Sequence, residues 1–245
     1  GEYHYELPVI FHVLYKNSGD PLQYVSQNRL AEILNAVNDL YKDRSNSIGM
    51  NLTFTLAATN PNGETLTSPG VEYIEWPDSY PIDCNAFMSD NTGKNVKYLW
   101  DPNQYINVMI YNFTSDPETN SITLGISHLP FTTTGNNSLE GLNETKYSYL
   151  ELKHLNFPYC CSINSLYIDQ QSTSTTYNTT DVTVTVAHEL GHYLGVHHVF
   201  SEDENGTYDG CTDSDYCKDT PTYNKVYYDQ WIDIQLSLGV RDLPT

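Results

Sequence analysis

Four of the chain's eight histidines fall within the fifteen residues VAHELGHYLGVHHVF, Val186 to Phe200. His188 and His192 are four apart, which on an α-helix puts both imidazoles on one face, close enough to share one metal ion. Glu189 stands beside the first of them. Gly195 follows three residues after His192, where a helix must end in a left-handed turn if the chain is to bend back toward the metal. His198 then supplies a third imidazole. Three neutral nitrogen ligands leave one zinc position for water, the arrangement of a catalytic rather than a structural zinc. With Glu189 as general base and acid, the chemistry implied is amide-bond hydrolysis.

A helix can carry two histidines on a buried face for packing alone, so H-E-x-x-H by itself is a moderate signal. The extension H-E-x-x-H-x-x-G-x-x-H, with Gly195 and His198 in register, is far more specific. His197 is adjacent to the required position and is read as a packing or hydrogen-bonding residue. His4, His12, His128 and His154 lack ligand spacing and are read as satisfied or exposed histidines.

The helix carrying the motif is expected to begin near Asp181, with Val186, Leu190 and Leu194 forming its apolar side. Its β-branched residues imply a buried element held by packing. Upstream, LPVIFHVLY, Leu7 to Tyr15, reads as a buried strand. SQNRLAEILNAVNDLYKDRS places Leu30, Ile33, Leu34, Val37, Leu40 and Tyr41 at helical spacing, with Ser26 as cap and Lys42 and Arg44 at the C-terminal end. NLTFTLAAT, GVEYIEW, YINVMIYNF, ITLGISHLPF and NSLYID are the further strand candidates. The polar segment from Thr132 to Tyr159 reads as a long loop, and no repeat or linker divides the chain. The organisation expected is one catalytic domain over 1–245, with a sheet-and-helix subdomain at 1–195 and an irregular, partial subdomain at 196–245.

At 245 residues and 39% hydrophobic content the chain can bury a sizeable core. Its formal net charge of −20 would repel a nucleic-acid backbone or an anionic lipid surface. No apolar run is long enough to cross a bilayer as a helix, and the start lacks the pattern of a signal peptide, so the segment reads as mature and soluble, with a monomer expected. Cys84, Cys160, Cys161, Cys211 and Cys217 form neither C-x-x-C pairs nor an even set. Cys211 and Cys217 are the best candidate bridge, which would favour an extracytoplasmic setting. Six N-x-[ST] sequons, at Asn51, Asn112, Asn136, Asn143, Asn178 and Asn205, are weak evidence for glycosylation.

The long motif resembles that of the metzincin zinc endopeptidases. HHVF with Phe200 two residues after His198, followed by KDTP, resembles the pappalysin branch. LPVIFHVLY with the helix after it, YLWDPNQYINVMIYNF and LGISHLP are similar to that family's elements before its active-site helix, so the likeness covers nearly the whole chain. It implies an α+β fold: a twisted, mostly parallel five-stranded sheet with two long helices, and an irregular C-terminal subdomain. By position, His188, His192 and His198 become zinc ligands and Glu189 the general base and acid. Gly125, Ile126, Ser127 and His128 would lie on the edge strand that pairs with an extended peptide or protein substrate. The family also binds calcium after the third histidine, and the acidic run there offers Asp209, Asp213, Asp215 and Asp219 as ligands.

One departure stands against the resemblance. Metzincins place a methionine in a tight turn under the zinc, downstream of the third histidine. Here Met50, Met88 and Met109 are all upstream, and Leu236 and Leu238 are the nearest substitutes. The expectation is a chain that stops short of the family's last elements, with an incompletely floored site. A catalytically weak binding or adhesion module on the same scaffold, and a metal-dependent amidase, are the alternative readings. Intact Glu189 argues against the first; an open cleft with a free edge strand would argue against the second.

Overall fold

The computed structural model describes residues 3–42, 48–119, 121–171, 180–200, 215–221 and 224–241. In chain order the elements are strand β1 (Tyr5–Tyr15), helix α1 (Gln27–Leu40), strands β2 (Leu52–Leu56) and β3 (Val71–Glu75), and the short helix α2 (Cys84–Met88). Strands β4 (Ile106–Tyr111), β5 (Gly125–Ser127), β6 (Phe131–Thr133), β7 (Asn143–Thr145) and β8 (Cys161–Asn164) follow, and helices α3 (Val182–Tyr193) and α4 (Lys225–Ser237) complete the set. They divide into two compact units. The first comprises residues 1–128 and 147–194, the second residues 129–146 and 195–245.

The first unit is built on β1. Its run of β-branched and aromatic residues has no polar alternation, as befits a strand covered on both faces, and Val9, Ile10, Phe11, Val13 and Leu14 are fully buried. The sheet order is β2-β1-β4-β8-β5, with β3 also paired to β1. β2 lies against Tyr5–Val9 and β3 against Phe11–Tyr15, both parallel, so the two short strands share one edge position. The sheet is therefore five positions wide but contains six strands. β4 and β8 continue it in parallel, and β5 closes the far edge antiparallel to β8.

The helix over Gln27–Leu40 starts where the capping signal places it. Ser26 has extended backbone and accepts the Arg29 N–H, and Leu30, Ile33, Leu34 and Val37 are buried. Its Arg29 guanidinium donates to the Ile168 carbonyl at 2.8 and 3.0 Å, fixing the helix to the segment after β8. NSLYID is not a strand. The ladder is formed by Cys161–Asn164, and Ser165–Tyr167 turn into a 3₁₀ helix. Asn164 ends the strand by accepting the Leu166 N–H, the kind of local side-chain bond that competes with a sheet ladder.

In the second unit, β6 and β7 form a small parallel ladder. Helix α4 occupies Lys225–Ser237 of the C-terminal segment. Leu236 and Leu238 are exposed there, so neither provides a buried packing residue. Among the described residues no helix is long and apolar enough to cross a membrane.

Candidate active site

Helix α3 begins one residue after Asp181, whose carboxylate accepts the Thr183 N–H at 2.7 Å and caps the first turn. Val182, Val186 and Leu190 are buried, and the β-branched first turns are held by tertiary packing rather than by propensity. Leu194 does not belong to the apolar side. It is the C-cap residue, beyond the last residue of the helix, and is 38% exposed. Gly195 follows with φ +105°, a conformation that L side chains rarely adopt, so the left-handed exit read from the motif is present.

One helical turn brings His188 and His192 together, their Nε2 atoms 2.9 Å apart and their rings at 87°. The chain leaves the helix through Gly195 and reaches His198 six residues after His192. His188 and His192 belong to the first unit and His198 to the second. Nitrogens sharing a tetrahedral zinc at 2.0–2.1 Å stand about 3.3 Å apart, so the His188–His192 pair suits such an ion in chemistry and comes near its spacing. The His198 ring stacks on Phe200, with centroids 4.5 Å apart. His197 instead packs against Tyr216 at 4.9 Å.

Glu189 shares the helix with the histidines but is buried, at 7% exposure. Loss of solvent pushes its carboxyl up to about 7. Its side chain lies against Gly125 at the start of β5. Behind it, the Cys161 thiol donates to the Glu189 carbonyl oxygen at 3.5 Å and meets the Ser127 hydroxyl at 3.1 Å, so β8 ties the edge strand to the helix. Burial raises the Cys161 thiol far above its ordinary range, which keeps it protonated and able to donate. A cavity of about 460 Å³ opens beside His188 and Glu189, lined by Ile122, Thr123, Leu124, Gly125, Val184 and Thr185.

Gly125, Ile126 and Ser127 form β5, and the Leu124 carbonyl and His128 N–H extend its pairing to Asn164 and Cys160 at 2.8 and 3.1 Å. Its other edge pairs with no strand among the described residues. His128 Nε2 lies 2.9 Å from the Met88 carbonyl oxygen and its Nδ1 3.2 Å from that of Cys160. The remaining histidines outside the motif also have partners. His12 is fully buried between Glu72 (2.6 Å) and Asn107 (2.7 Å), His4 meets Thr53, and His154 stacks on Tyr147.

Asp209 and Asp213 of the expected calcium site, and Cys211 of the expected bridge, lie outside the described residues. Asp215 is buried and accepts the Cys217 N–H at 2.9 Å, while Asp219 is exposed. Neither aspartate is part of a metal-capable group among the described residues. Cys84, Cys160 and Cys161 are buried free thiols. Cys161 and Tyr41 are site residues that sequence reading did not single out. Nothing in the run YCCSIN distinguishes the second cysteine, and Tyr41 registers only as one position of an amphipathic face.

A mostly parallel sheet with an antiparallel edge strand, beside a helix bearing H-E-x-x-H, defines a metzincin-like metallopeptidase domain. The sequence matches the model of metallo-peptidase family M12 over residues 13–232, and the chain belongs to that family. No curated protein sequence matches it. Among solved structures it is similar to mature mirolysin of Tannerella forsythia in complex with a cleaved peptide, at 19% identity and a TM-score of 0.62 over 91% of this chain and 74% of that one. A promirolysin mutant from the same organism gives a TM-score of 0.63 at 19% identity, over 91% of this chain and 65% of that one. These likenesses are of fold.

Proposed function

We propose that this metallopeptidase is a zinc-dependent endopeptidase of the pappalysin type, with His188, His192 and His198 holding the metal and Glu189 acting as general base and acid. The observation that carries the reading is the placement of Glu189, a buried carboxyl on the same helical turn as two paired imidazoles and beside a sheet edge that no strand among the described residues covers. Zinc bound by three imidazoles acidifies water and polarises a carbonyl. The chain's own groups do the rest. An extended peptide adds as a strand to β5, so that main-chain hydrogen bonds align it without regard to most of its side chains. The Glu189 carboxylate takes a proton from water as the water oxygen bonds to the scissile carbonyl carbon. It returns that proton to the amide nitrogen as the C–N bond breaks. Its place on the helix beside His188 puts one carboxyl within reach of both transfers.

The open cavity beside Glu189, and an edge of β5 that pairs with no strand among the described residues, favour a peptide over a small amide. Mature mirolysin, of similar fold, was captured with a cleaved peptide. An extracytoplasmic setting, and calcium held by Asp209, Asp213, Asp215 and Asp219, belong to the same pappalysin-type proposal. The deciding experiment is Glu189→Ala with metal analysis and a peptide-library digest. Zinc should remain near one per chain while hydrolysis falls by about 10²–10⁴-fold, the span of a general base. Undiminished turnover in that variant would remove Glu189 from the mechanism.

A further inference from the structure

Gly125 occupies a strand position that asks nothing of glycine. Its φ lies outside the left-handed region, and a glycine in a strand has no side chain to pack. The reason for its presence is a close approach. A methyl group on Gly125 would stand 2.7 Å from Glu189 Cγ, 2.9 Å from Oε1 and 3.0 Å from Cδ. Carbon atoms make van der Waals contact at about 3.5–4.0 Å, so these separations are excluded.

The clash has no inexpensive relief. Cγ is the second atom of the side chain, so clearing it requires rotation about χ1, which carries the whole carboxylate elsewhere. Separating the strand from the helix is resisted as well, since Cys161 bridges the Ser127 hydroxyl and the Glu189 carbonyl oxygen and β5 is paired to β8 on that side. Glu189 is itself buried, which restricts the rotamers open to it.

We infer that Gly125 is a positioning residue: the missing side chain on the edge strand is the seat that holds the Glu189 carboxylate beside His188. This rests on the reading of Glu189 as general base. It also joins two functions at one strand, because the backbone that would align the substrate is the surface against which the base is packed.

The test is a cycle of Gly125→Ala, Glu189→Ala and the double variant in the full chain, read by thermal melting, zinc content and steady-state peptide hydrolysis. Gly125→Ala keeps the backbone N–H and C=O of the strand, so KM should stay within about twofold while kcat falls by tenfold or more, with zinc retained. Alone, the substitution should lower the melting temperature. In the Glu189→Ala background the clashing atoms are gone, and the same change should leave it equal or higher, because alanine restricts the unfolded chain more than glycine does. If Gly125→Ala does not fold but the double variant does, the clash is demonstrated all the same. Additive melting shifts, or an unchanged kcat in Gly125→Ala, would overturn the inference. Retained turnover in Glu189→Ala would instead defeat the general-base reading, and the melting cycle would still report on the contact.

Discussion

The Tyr41 hydroxyl donates a 2.8 Å hydrogen bond to the carbonyl oxygen of Ala187, the residue before His188. Tyr41 caps the C-terminus of α1, so one phenol ties the first long helix to the helix that carries the histidines. Burial pushes that phenol up to about 12, and it remains a donor throughout the neutral range. Tyr41→Phe removes the donor and little else. It should cost about 1 kcal/mol, the net worth of an ordinary hydrogen bond, measured as a lower denaturation midpoint with an unchanged denaturant slope.

Asp181 is almost completely buried and accepts the first free N–H of the active-site helix at 2.7 Å. Asp181→Ala should destabilise the protein by about 0.5–2 kcal/mol. Asp181→Asn, which keeps an acceptor oxygen, should recover much of the loss. Chemical denaturation of the two variants side by side provides the measurement.

Gly195 makes the turn toward His198 at φ +105°, while its nearest non-local neighbour, Pro130, lies at an ordinary 3.5 Å from an added methyl. The obstacle to a side chain there is conformational, not steric. Gly195→Ala should therefore cost about 1–2 kcal/mol through backbone strain. Relaxation of that strain would displace His198, so zinc affinity should fall in parallel, as competition with a chelator would show.

The two adjacent histidines should separate cleanly. His198→Ala should reduce zinc to well below one per chain. His197→Ala removes a ring packed on Tyr216 at 4.9 Å and should keep the metal while lowering stability by about 1 kcal/mol. Metal analysis after dialysis decides between them, and equal zinc loss in both would break the register assigned to the motif.

His128 gives a pH dependence of known sign. Desolvation lowers it from the ordinary histidine value of 6.5, against the opposing pull of the Met88 and Cys160 backbone groups. As pH falls through about 6.5 the unfolded chain takes up the proton first, so this residue's contribution is complete above that value and is lost below it. Glu189 acts in the opposite direction in metal-free protein. Its raised carboxyl binds a proton in the folded state between about 7 and the ordinary 4.5, so acidification through that range stabilises. The difference between the parent protein and His128→Phe isolates the histidine. The parent should lose stability relative to the variant as pH falls from 7.5 to about 5.5, read from denaturation midpoints on metal-free samples.

Whatever depends on neighbours along the chain was legible in the residues. The four-residue spacing of His188 and His192, the Asp181 cap, the Gly195 exit and the Ser26-capped amphipathic helix are local, because helix period, capping and left-handed turns are set within one or two turns of backbone. The buried run of β1 was equally plain, since a strand covered on both faces needs no partner to declare itself. β8 was missed because its Cys161–Asn164 sequence has no alternation, and it becomes a strand by pairing with β4 on one side and β5 on the other. Leu194 was misplaced because the apolar period runs past the residue at which the helix ends. The contacts of Tyr41 with Ala187, Cys161 with the Glu189 carbonyl and Gly125 with the Glu189 side chain join residues far apart in sequence. Composition and period carry no trace of them, because close packing between separate elements is settled only when the whole sheet and its helices assemble.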